Sequence, residues 1–318
     1  MDLFFVLSAL LAFYIAWSIG ANDETMAVVA GSGFTSIGIA VAIGALMDFL
    51  GAVVASEAVE KTMGVSLLAF TPTDKDFFII LFATATWLVI ASYRGWPIST
   101  THSAVGAALG IALLRRGLEG VNAGVVWKIL SGWVFSPIFG LLGSFILYKV
   151  FEHLYLKRSS SRGIVLDLKV AKACSIALVA WAAATSFFRG GNDAANATAF
   201  LLRIYPYPLY VRLLGGVGIA LGLIILGRRV VKNVGTQLVV LDPATGLTVQ
   251  LSTALTLAFG TLMGFPLSGT HVLVAALAGI GLAKRSWINL ANLKEILLTW
   301  VITFPSAAAL AAVLGLLI

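Results

Sequence analysis

Two short segments of the sequence combine glycine, asparagine and aspartate in the same order. Residues 20–24 read Gly-Ala-Asn-Asp-Glu, and residues 190–193 read Gly-Gly-Asn-Asp. Each segment follows an apolar run, where an ionisable side chain is costly and rarely persists without a partner or a function. Glycine can let a helix unwind and expose carbonyls, which with amides and carboxylates form a hard-oxygen site for sodium or a proton. The alternative is a helix end at the water interface. The predicted cation ligands are Asn22, Asp23, Glu24, Asn192, Asp193 and Asn196.

A second pair of segments combines proline with hydroxyl side chains and histidine. Residues 97–102 read Pro-Ile-Ser-Thr-Thr-His, and residues 266–271 read Pro-Leu-Ser-Gly-Thr-His. Proline followed by serine and threonine is typical of a helix start, whose free N–H groups and partial positive charge suit an anion. Two such starts could converge on a tetrahedral oxyanion, although ordinary helix capping is the alternative. The predicted hydroxyl donors are Ser99, Thr100, Thr101, Ser268 and Thr270.

Histidine and arginine residues accompany these segments. His102 and His271 occupy equivalent positions and are two of only three histidines. Their side chains either pack helices together or contact substrate and handle protons. Arg94 and Arg189 could attract an anion, but neither has a basic counterpart in the other copy. We therefore expect both arginines to anchor helix ends at the membrane interface.

Composition identifies the class of protein. Of 318 residues, 60% are hydrophobic and only 11% are charged, whereas a soluble domain carries about 25% charged residues. Most side chains must therefore face a lipid bilayer or other apolar helices. The net charge of +7 comes mostly from residues flanking apolar runs, so it indicates no nucleic-acid partner. A single cysteine excludes a disulfide framework.

The apolar runs predict roughly 10–12 membrane segments. Several are short or interrupted by glycine, proline and polar residues, which indicates broken helices and helical hairpins. The first run follows Asp2 rather than a basic region, so we expect it to be a retained membrane helix. The predicted spans are 3–19 with a continuation at 25–43, then 44–60, 77–93, 98–114, 125–150, 171–188 with a continuation at 194–204, 207–227, 247–264, 270–283 and 295–318.

The chain is internally duplicated. Three motifs recur in the same order. Those that begin at residues 20, 61 and 97 have second copies that begin at 190, 232 and 266, at offsets of 170, 171 and 169. We expect a first transmembrane repeat at 1–151, a basic cytoplasmic connector at 152–172 and a second repeat at 173–318. If each half crosses the membrane an odd number of times, the second is inverted and the N-terminus lies outside. The predicted fold is an all-α polytopic membrane protein with two inverted-topology repeats.

At these motifs the sequence resembles the inorganic phosphate transporter (PiT) family, which carries a Gly-Ala-Asn-Asp and a Pro-x-Ser-x-Thr-His segment in each half. The resemblance covers nearly the whole chain. It implies a symporter in the cell membrane that takes up phosphate with sodium or protons, holds it between the repeats, and forms a homodimer. Asp23 and Asp193 would then lie beside the phosphate. No further cofactor is expected.

Two departures from the family pattern fall in the first half. Met26 stands where the second half has Asn196, and Glu24 stands where it has Ala194. We expect Glu24 to substitute as an oxygen ligand or to make coupling sensitive to protons.

Three alternatives remain open from the sequence. The substrate could be another oxyanion such as sulfate, which cannot donate hydrogen bonds as dihydrogen phosphate can. A channel would carry the anion without accumulating it. An intramembrane enzyme built on His102 and His271 is disfavoured, because its catalytic residues would come in duplicate and no unique nucleophile stands out. We therefore expect no enzymatic activity.

Overall fold

The structure, a computed structural model, describes residues 3–94, 98–156, 168–227, 231, 241–285 and 290–317. Within these ranges the chain is helical apart from short connections and one isolated bridge between Leu68 and Val121. The first half contains α1 (Leu3–Ala21), α2 (Ala27–Gly31), α3 (Ile37–Ala55), α4 (Glu57–Lys61), α5 (Asp74–Arg94), α6 (Thr100–Arg116) and α7 (Ala123–Phe151). Short π or 3₁₀ turns follow α4, α6 and α7 at Thr62–Ser66, Gly117–Gly120 and Glu152–Leu156.

The second half repeats the order of long helices. It contains α8 (Leu168–Ile204), α9 (Pro208–Gly222) with a π turn at Leu223–Gly227, α10 (Pro243–Leu262), α11 (Gly269–Lys284) and α12 (Leu290–Leu317). The middle of the predicted connector, 157–167, and the repeated segment at 232–235 lie outside the described residues. The described ends of the connector, 152–156 and 168–172, are helical.

Helix length and composition fit a membrane protein. Within the described ranges, six helices are long and apolar enough to cross a bilayer, namely α1, α3, α7, α8, α9 with its π turn, and α12. Of the other four long helices, α6 and α11 are shorter than these, and α5 and α10 carry more polar residues. Together they give ten segments, at the lower end of the predicted number. The prediction of an all-α polytopic membrane protein is confirmed.

The two halves interlock rather than lie side by side. Helix α3 packs on α8 and α9 packs on α1, while α6 packs on α12 and α11 packs on α7. Each pair joins a helix of one half to a helix of the other, and each pair has its counterpart under the repeat. The site that these helices surround is therefore built from both halves.

Glycines allow the central helices to cross at backbone contact. A Cβ on Gly190 of α8 would collide with the carbonyl oxygen of Asp48 on α3. A Cβ on Gly20 of α1 would collide with the carbonyl oxygen of Ile219 on α9. These crossings are equivalent under the duplication, so close packing through small residues is itself repeated.

The expected unwinding at both Gly-x-Asn-Asp segments is found in one half only. Helix α1 ends at Ala21 and α2 begins at Ala27, but α8 runs without interruption from Leu168 to Ile204. The expectation of a break at Gly190 is wrong. Because Gly190 and Gly191 have no side chains, α3 can pack closely against α8, which stays a continuous helix. The expected boundary between spans 25–43 and 44–60 is also wrong, because α3 runs through it from its Ser36 cap.

Substitution of Gly190 tests the backbone crossing. We expect Gly190→Ala to destabilise the detergent-purified protein by about 1–3 kcal/mol, because overpacking at a close contact forces the backbones apart. The control is Gly38→Ala on α3, where the nearest atom to a new Cβ would be Ser36 Oγ at 3.9 Å. Thermal unfolding measures the melting temperature of both variants. An equal decrease in the two would contradict the close crossing of α8 and α3.

Candidate ion and substrate site

The interruption between α1 and α2 presents two acids to the protein interior. Asp23 and Glu24 are buried there, although they lie in a segment without regular helical hydrogen bonding. Asp23 Oδ1 accepts a hydrogen bond of 2.7 Å from the backbone N–H of Thr25, which holds the turn in place. Side-chain bonding to a backbone N–H two residues on is the way aspartate stabilises a turn.

Arg189 on α8 reaches into this turn from the other half of the chain. Its Nη1 donates to Asp23 Oδ1 and, at 2.9 Å, to the Thr25 hydroxyl. Its Nε donates to Asp193 Oδ2 at 3.1 Å, and its Nη1 lies 3.5 Å from Glu24 Oε1. Arg189 is only 5% exposed, so the expectation that it anchors a helix at the interface is wrong.

Acidic side chains outnumber basic side chains in this cluster. Asp48 on α3 is 1% exposed, neither of its carboxylate oxygens has a hydrogen-bond partner among the described residues, and it interacts electrostatically with Asp23 and Arg189. Four carboxyl groups (Asp23, Glu24, Asp48 and Asp193) thus face one guanidinium. Because an uncompensated buried charge is strongly destabilising, the acids that Arg189 does not balance require protons or additional cations.

The predicted helix starts at the two hydroxyl-rich segments are confirmed. Ser99 caps α6 by accepting a hydrogen bond of 3.3 Å from the N–H of His102. Ser268 caps α11 in the same way, with 3.5 Å to the N–H of His271. Pro97 lies outside the described residues. Both helix N-termini carry the partial positive charge that favours an anion.

The two helix starts, one from each half, lie next to each other. The hydroxyl of Thr101 on α6 donates to the carbonyl of Leu267, just before α11, at 2.9 Å. The side-chain amide of Asn196 on α8 donates to the same hydroxyl at 3.1 Å. Thr100 and Thr270, in the first turns of α6 and α11, are partly exposed. An anion at this junction could therefore meet hydroxyls and N–H groups of both repeats.

Asn192 supports the segment that leads into α11. Its Oδ1 accepts from the N–H of Leu267 at 2.8 Å, and its Nδ2 donates to the carbonyl of Phe265 at 2.9 Å and to the Thr261 hydroxyl at 3.0 Å. Its polar side-chain atoms are thus bonded within the protein. Asn196 differs, because its buried Oδ1 has no hydrogen-bond partner among the described residues and can accept from a ligand.

The acid cluster and the α11 helix start form one continuous site. A Cβ on Gly269 would lie 2.9 Å from Cδ and Nε of Arg189, so the arginine side chain packs on the first turn of α11. The Thr270 side chain interacts with the carboxylate of Glu24. Charges from the α1–α2 turn and from α8 thereby meet the N-terminus of α11.

Not every predicted ligand reaches this site. Asn22 is exposed and donates through Nδ2 to the carbonyl of Ser18 at 3.0 Å, so it is not gathered with Asp23. Met26, at the position equivalent to Asn196, is 1% exposed and packs among apolar side chains near Gly44. The first half therefore lacks the amide that the second half directs at Thr101.

The two histidines pack against each other near the junction. The His102 and His271 ring centroids lie 4.8 Å apart in an edge-to-face arrangement, and Trp133 and Trp300 pack on them. His102 Nδ1 lies 3.3 Å from the carbonyl of Trp300. Packing between the repeats accounts for these contacts, although the Nε2 atoms of both rings are buried without a partner among the described residues.

A cavity of about 280 Å³, with charged side chains in its lining, lies beside α4 and α9. Its lining includes Lys61, Arg203 and Arg212. Arg212 is already paired with Glu60, whose Oε2 accepts from Nη2 at 2.7 Å and from Nε at 2.9 Å. This pairing leaves the cavity less suited to an anion than the junction of α6 and α11. Within the described residues, no three His, Cys, Asp or Glu side chains converge to hold a metal ion.

A helical membrane protein that brings an interrupted helix, buried charges and paired helix starts together between two repeats has the architecture of a membrane transporter. The chain belongs to the phosphate transporter family, whose model matches residues 19–168 and again 156–311. The two matches correspond to the two repeats.

Individual relatives are similar over nearly the whole chain. A "Putative phosphate permease" of Chlamydia muridarum is 32% identical, over 96% of each chain. The "Inorganic phosphate transporter 2-1, chloroplastic" of Arabidopsis thaliana is 28% identical over 96% of this chain and 70% of its own. A solved structure described as "The sodium-dependent phosphate transporter" superimposes with a TM-score of 0.89 at 26% identity, covering both chains completely.

Substitution of the equivalent asparagines tests the support of α11. We expect Asn192→Ala to lower the free energy of unfolding by about 1–3 kcal/mol, because the buried N–H of Leu267 loses its acceptor. Asn22→Ala is the matched control, and its exposed side chain predicts a change within about 0.5 kcal/mol. Thermal unfolding in detergent measures both, and equal effects would contradict the asymmetry between the two halves.

Proposed function

We propose that this chain is a secondary active symporter that carries inorganic phosphate together with sodium. Membership of the phosphate transporter family supports phosphate as the substrate. The name of the superimposable structure, a sodium-dependent phosphate transporter, supports sodium over protons as the coupling ion. Phosphate would bind at the junction of the α6 and α11 helix starts, contacted by Ser99, Thr100, Thr101, Ser268 and Thr270.

One observation carries this proposal: helix starts suited to an anion adjoin a cluster with excess carboxylates. The link is Arg189, which contacts Asp23 and Asp193 and packs on Gly269. A cation bound by the carboxylates reduces the negative potential at the neighbouring anion. Each ion then favours binding of the other, which is the reciprocal coupling that a symporter requires.

The pairing of repeats supports transport by alternating access. Helices of one half pack on helices of the other around the junction, so rocking of the halves could open it to either side. We propose an inverted second repeat, a cell-membrane location, an N-terminus outside and a cytoplasmic connector at 152–172. We also propose that the two repeats span 1–151 and 173–318 and that the protein forms a homodimer.

Sulfate is the nearest rival substrate. Asp23, Glu24 and Asp193 contact Arg189, which packs on the start of α11, and their carboxylates can accept hydrogen bonds. Dihydrogen phosphate can donate to them, whereas sulfate is repelled. An intramembrane enzyme finds less support, because the relatives are named as permeases or transporters and His102 and His271 are packed between tryptophans.

Uptake into proteoliposomes tests the function directly. We expect labelled phosphate to accumulate against its gradient when an inward sodium gradient is imposed, and not under a proton gradient alone. Excess arsenate should compete because it shares the size and protonation of phosphate, whereas sulfate should not. Flux that never exceeds equilibrium would indicate a channel, and strong competition by sulfate would indicate the rival substrate.

The same uptake assay tests whether the Asp23 carboxylate is required for coupled transport. Asp23→Asn should reduce sodium-driven uptake at least about 100-fold, because it removes a charged partner worth roughly 3 kcal/mol in a buried site. Asp74→Asn, at the exposed start of α5, is the matched control. Undiminished uptake by correctly folded Asp23→Asn would contradict the role given to this carboxylate.

A further inference from the structure

Three charged residues of the site break the symmetry of the repeats. Arg189 occupies the position equivalent to Ile19, Glu24 that of Ala194, and Asp48 that of Ile219. The first half thus adds two acids and the second half adds one base. The added charges meet, because Nη1 of Arg189 lies 3.5 Å from Glu24 Oε1.

The guanidinium of Arg189 lies between the two duplicated aspartates. It donates hydrogen bonds to Asp23 of the first half, to Asp193 of the second half and to the hydroxyl of Thr25. Carboxylate and hydroxyl oxygens from facing segments are also what a hard cation such as sodium takes as ligands. The arginine therefore lies where a mobile cation would neutralise both aspartates at once.

We propose that Arg189 is a tethered cation that takes the place of one coupling sodium ion between Asp23 and Asp193. The chain then carries phosphate with one sodium ion fewer than it would need without this arginine. The inference rests on the proposed sodium-coupled function and specifies its stoichiometry. It makes Arg189 a positioning and specificity-determining residue for the coupling ion.

The hydrogen bonds of Arg189 favour this role over direct binding of phosphate. Its Nε and Nη1 already donate to the acids and to Thr25. Acceptor oxygens nevertheless remain, since both oxygens of Asp48 and Oε1 of Glu24 are buried without a hydrogen-bond partner among the described residues. A mobile cation can bind these oxygens, so coupling to sodium is reduced rather than abolished.

The sodium dependence of Arg189→Gln tests the inference. In proteoliposomes we expect the variant to need higher sodium, and the logarithmic slope of uptake against sodium concentration to rise by about one. Arg189→Lys, which keeps the positive charge, should retain the slope of the unmodified protein. The matched control is Arg115→Gln, which removes an arginine paired with Asp76 at 2.8 Å outside the site.

A second readout requires no transport. Ligand binding to the folded state raises the melting temperature as ligand concentration increases. We expect sodium, in the absence of phosphate, to stabilise purified Arg189→Gln more steeply than the unmodified protein. If Arg189→Gln does not fold, Glu24→Gln is compared with Glu24→Gln/Arg189→Gln, where removal of an acid offsets the loss of the arginine. The double variant should show the steeper sodium dependence.

The outcomes separate this inference from the proposed function. An unchanged sodium slope with a raised half-saturating phosphate concentration would make Arg189 a phosphate ligand and overturn the inference. If sodium stabilises all variants to the same extent as the unmodified protein, the inference is also overturned, and Arg189 then has a structural role only. Steeper sodium stabilisation of Arg189→Gln, together with an unmodified protein that moves no phosphate, would support the tethered cation and refute the proposed function.

Discussion

Compensation of buried charge is the constraint on which the site depends. Burial away from water makes an ionised carboxylate costly, so a positive side chain, a bound cation or a proton must balance it. Arg189 provides this balance across the repeat boundary by bonding to Asp23 and Asp193. The same side chain packs on Gly269 at the start of α11. One interaction therefore holds together the interrupted first helix, the continuous α8 and the proposed anion site.

That interaction requires the central helices to approach closely. Gly190 places α8 in backbone contact with α3 one residue after Arg189, and Gly20 places α1 in contact with α9 just before the interruption. The duplicated crossings hold the charged side chains of both halves at hydrogen-bonding distance. Symmetric packing thus carries an asymmetric set of charges, and we propose that this asymmetry sets the coupling to sodium.

The sequence was informative where a local rule determines the structure. Apolar runs predicted an all-α membrane fold, and serine after proline predicted the starts of α6 and α11, because capping depends on neighbouring residues. The continuity of α8 could not be predicted this way. Gly190 favours unwinding in isolation, and only the approach of α3 explains its presence in a regular helix.

The role of Arg189 was also beyond local rules. Its position next to the Gly-Gly-Asn-Asp segment suggested a helix end at the interface, since the partners Asp23 and Thr25 lie more than 160 residues earlier. The difference between Asn22 and Asn192 arises in the same way. Although the two residues are equivalent in sequence, Asn22 is exposed, whereas Asn192 bonds to the segment that leads into α11. The acidic excess of the first half, with Glu24 and Asp48, was the available sign that a base from elsewhere is required.

We propose that an anion binds between the helix starts of the two repeats, beside the acid cluster. An experimental structure of the full chain with sodium and phosphate, at a resolution that shows bound ions, would locate that anion. We expect phosphate density between Ser99–Thr101 and Ser268–Thr270, with Arg189 still bonded to Asp23 and Asp193. Phosphate in the cavity lined by Lys61, Arg203 and Arg212, with the junction of α6 and α11 unoccupied, would contradict it.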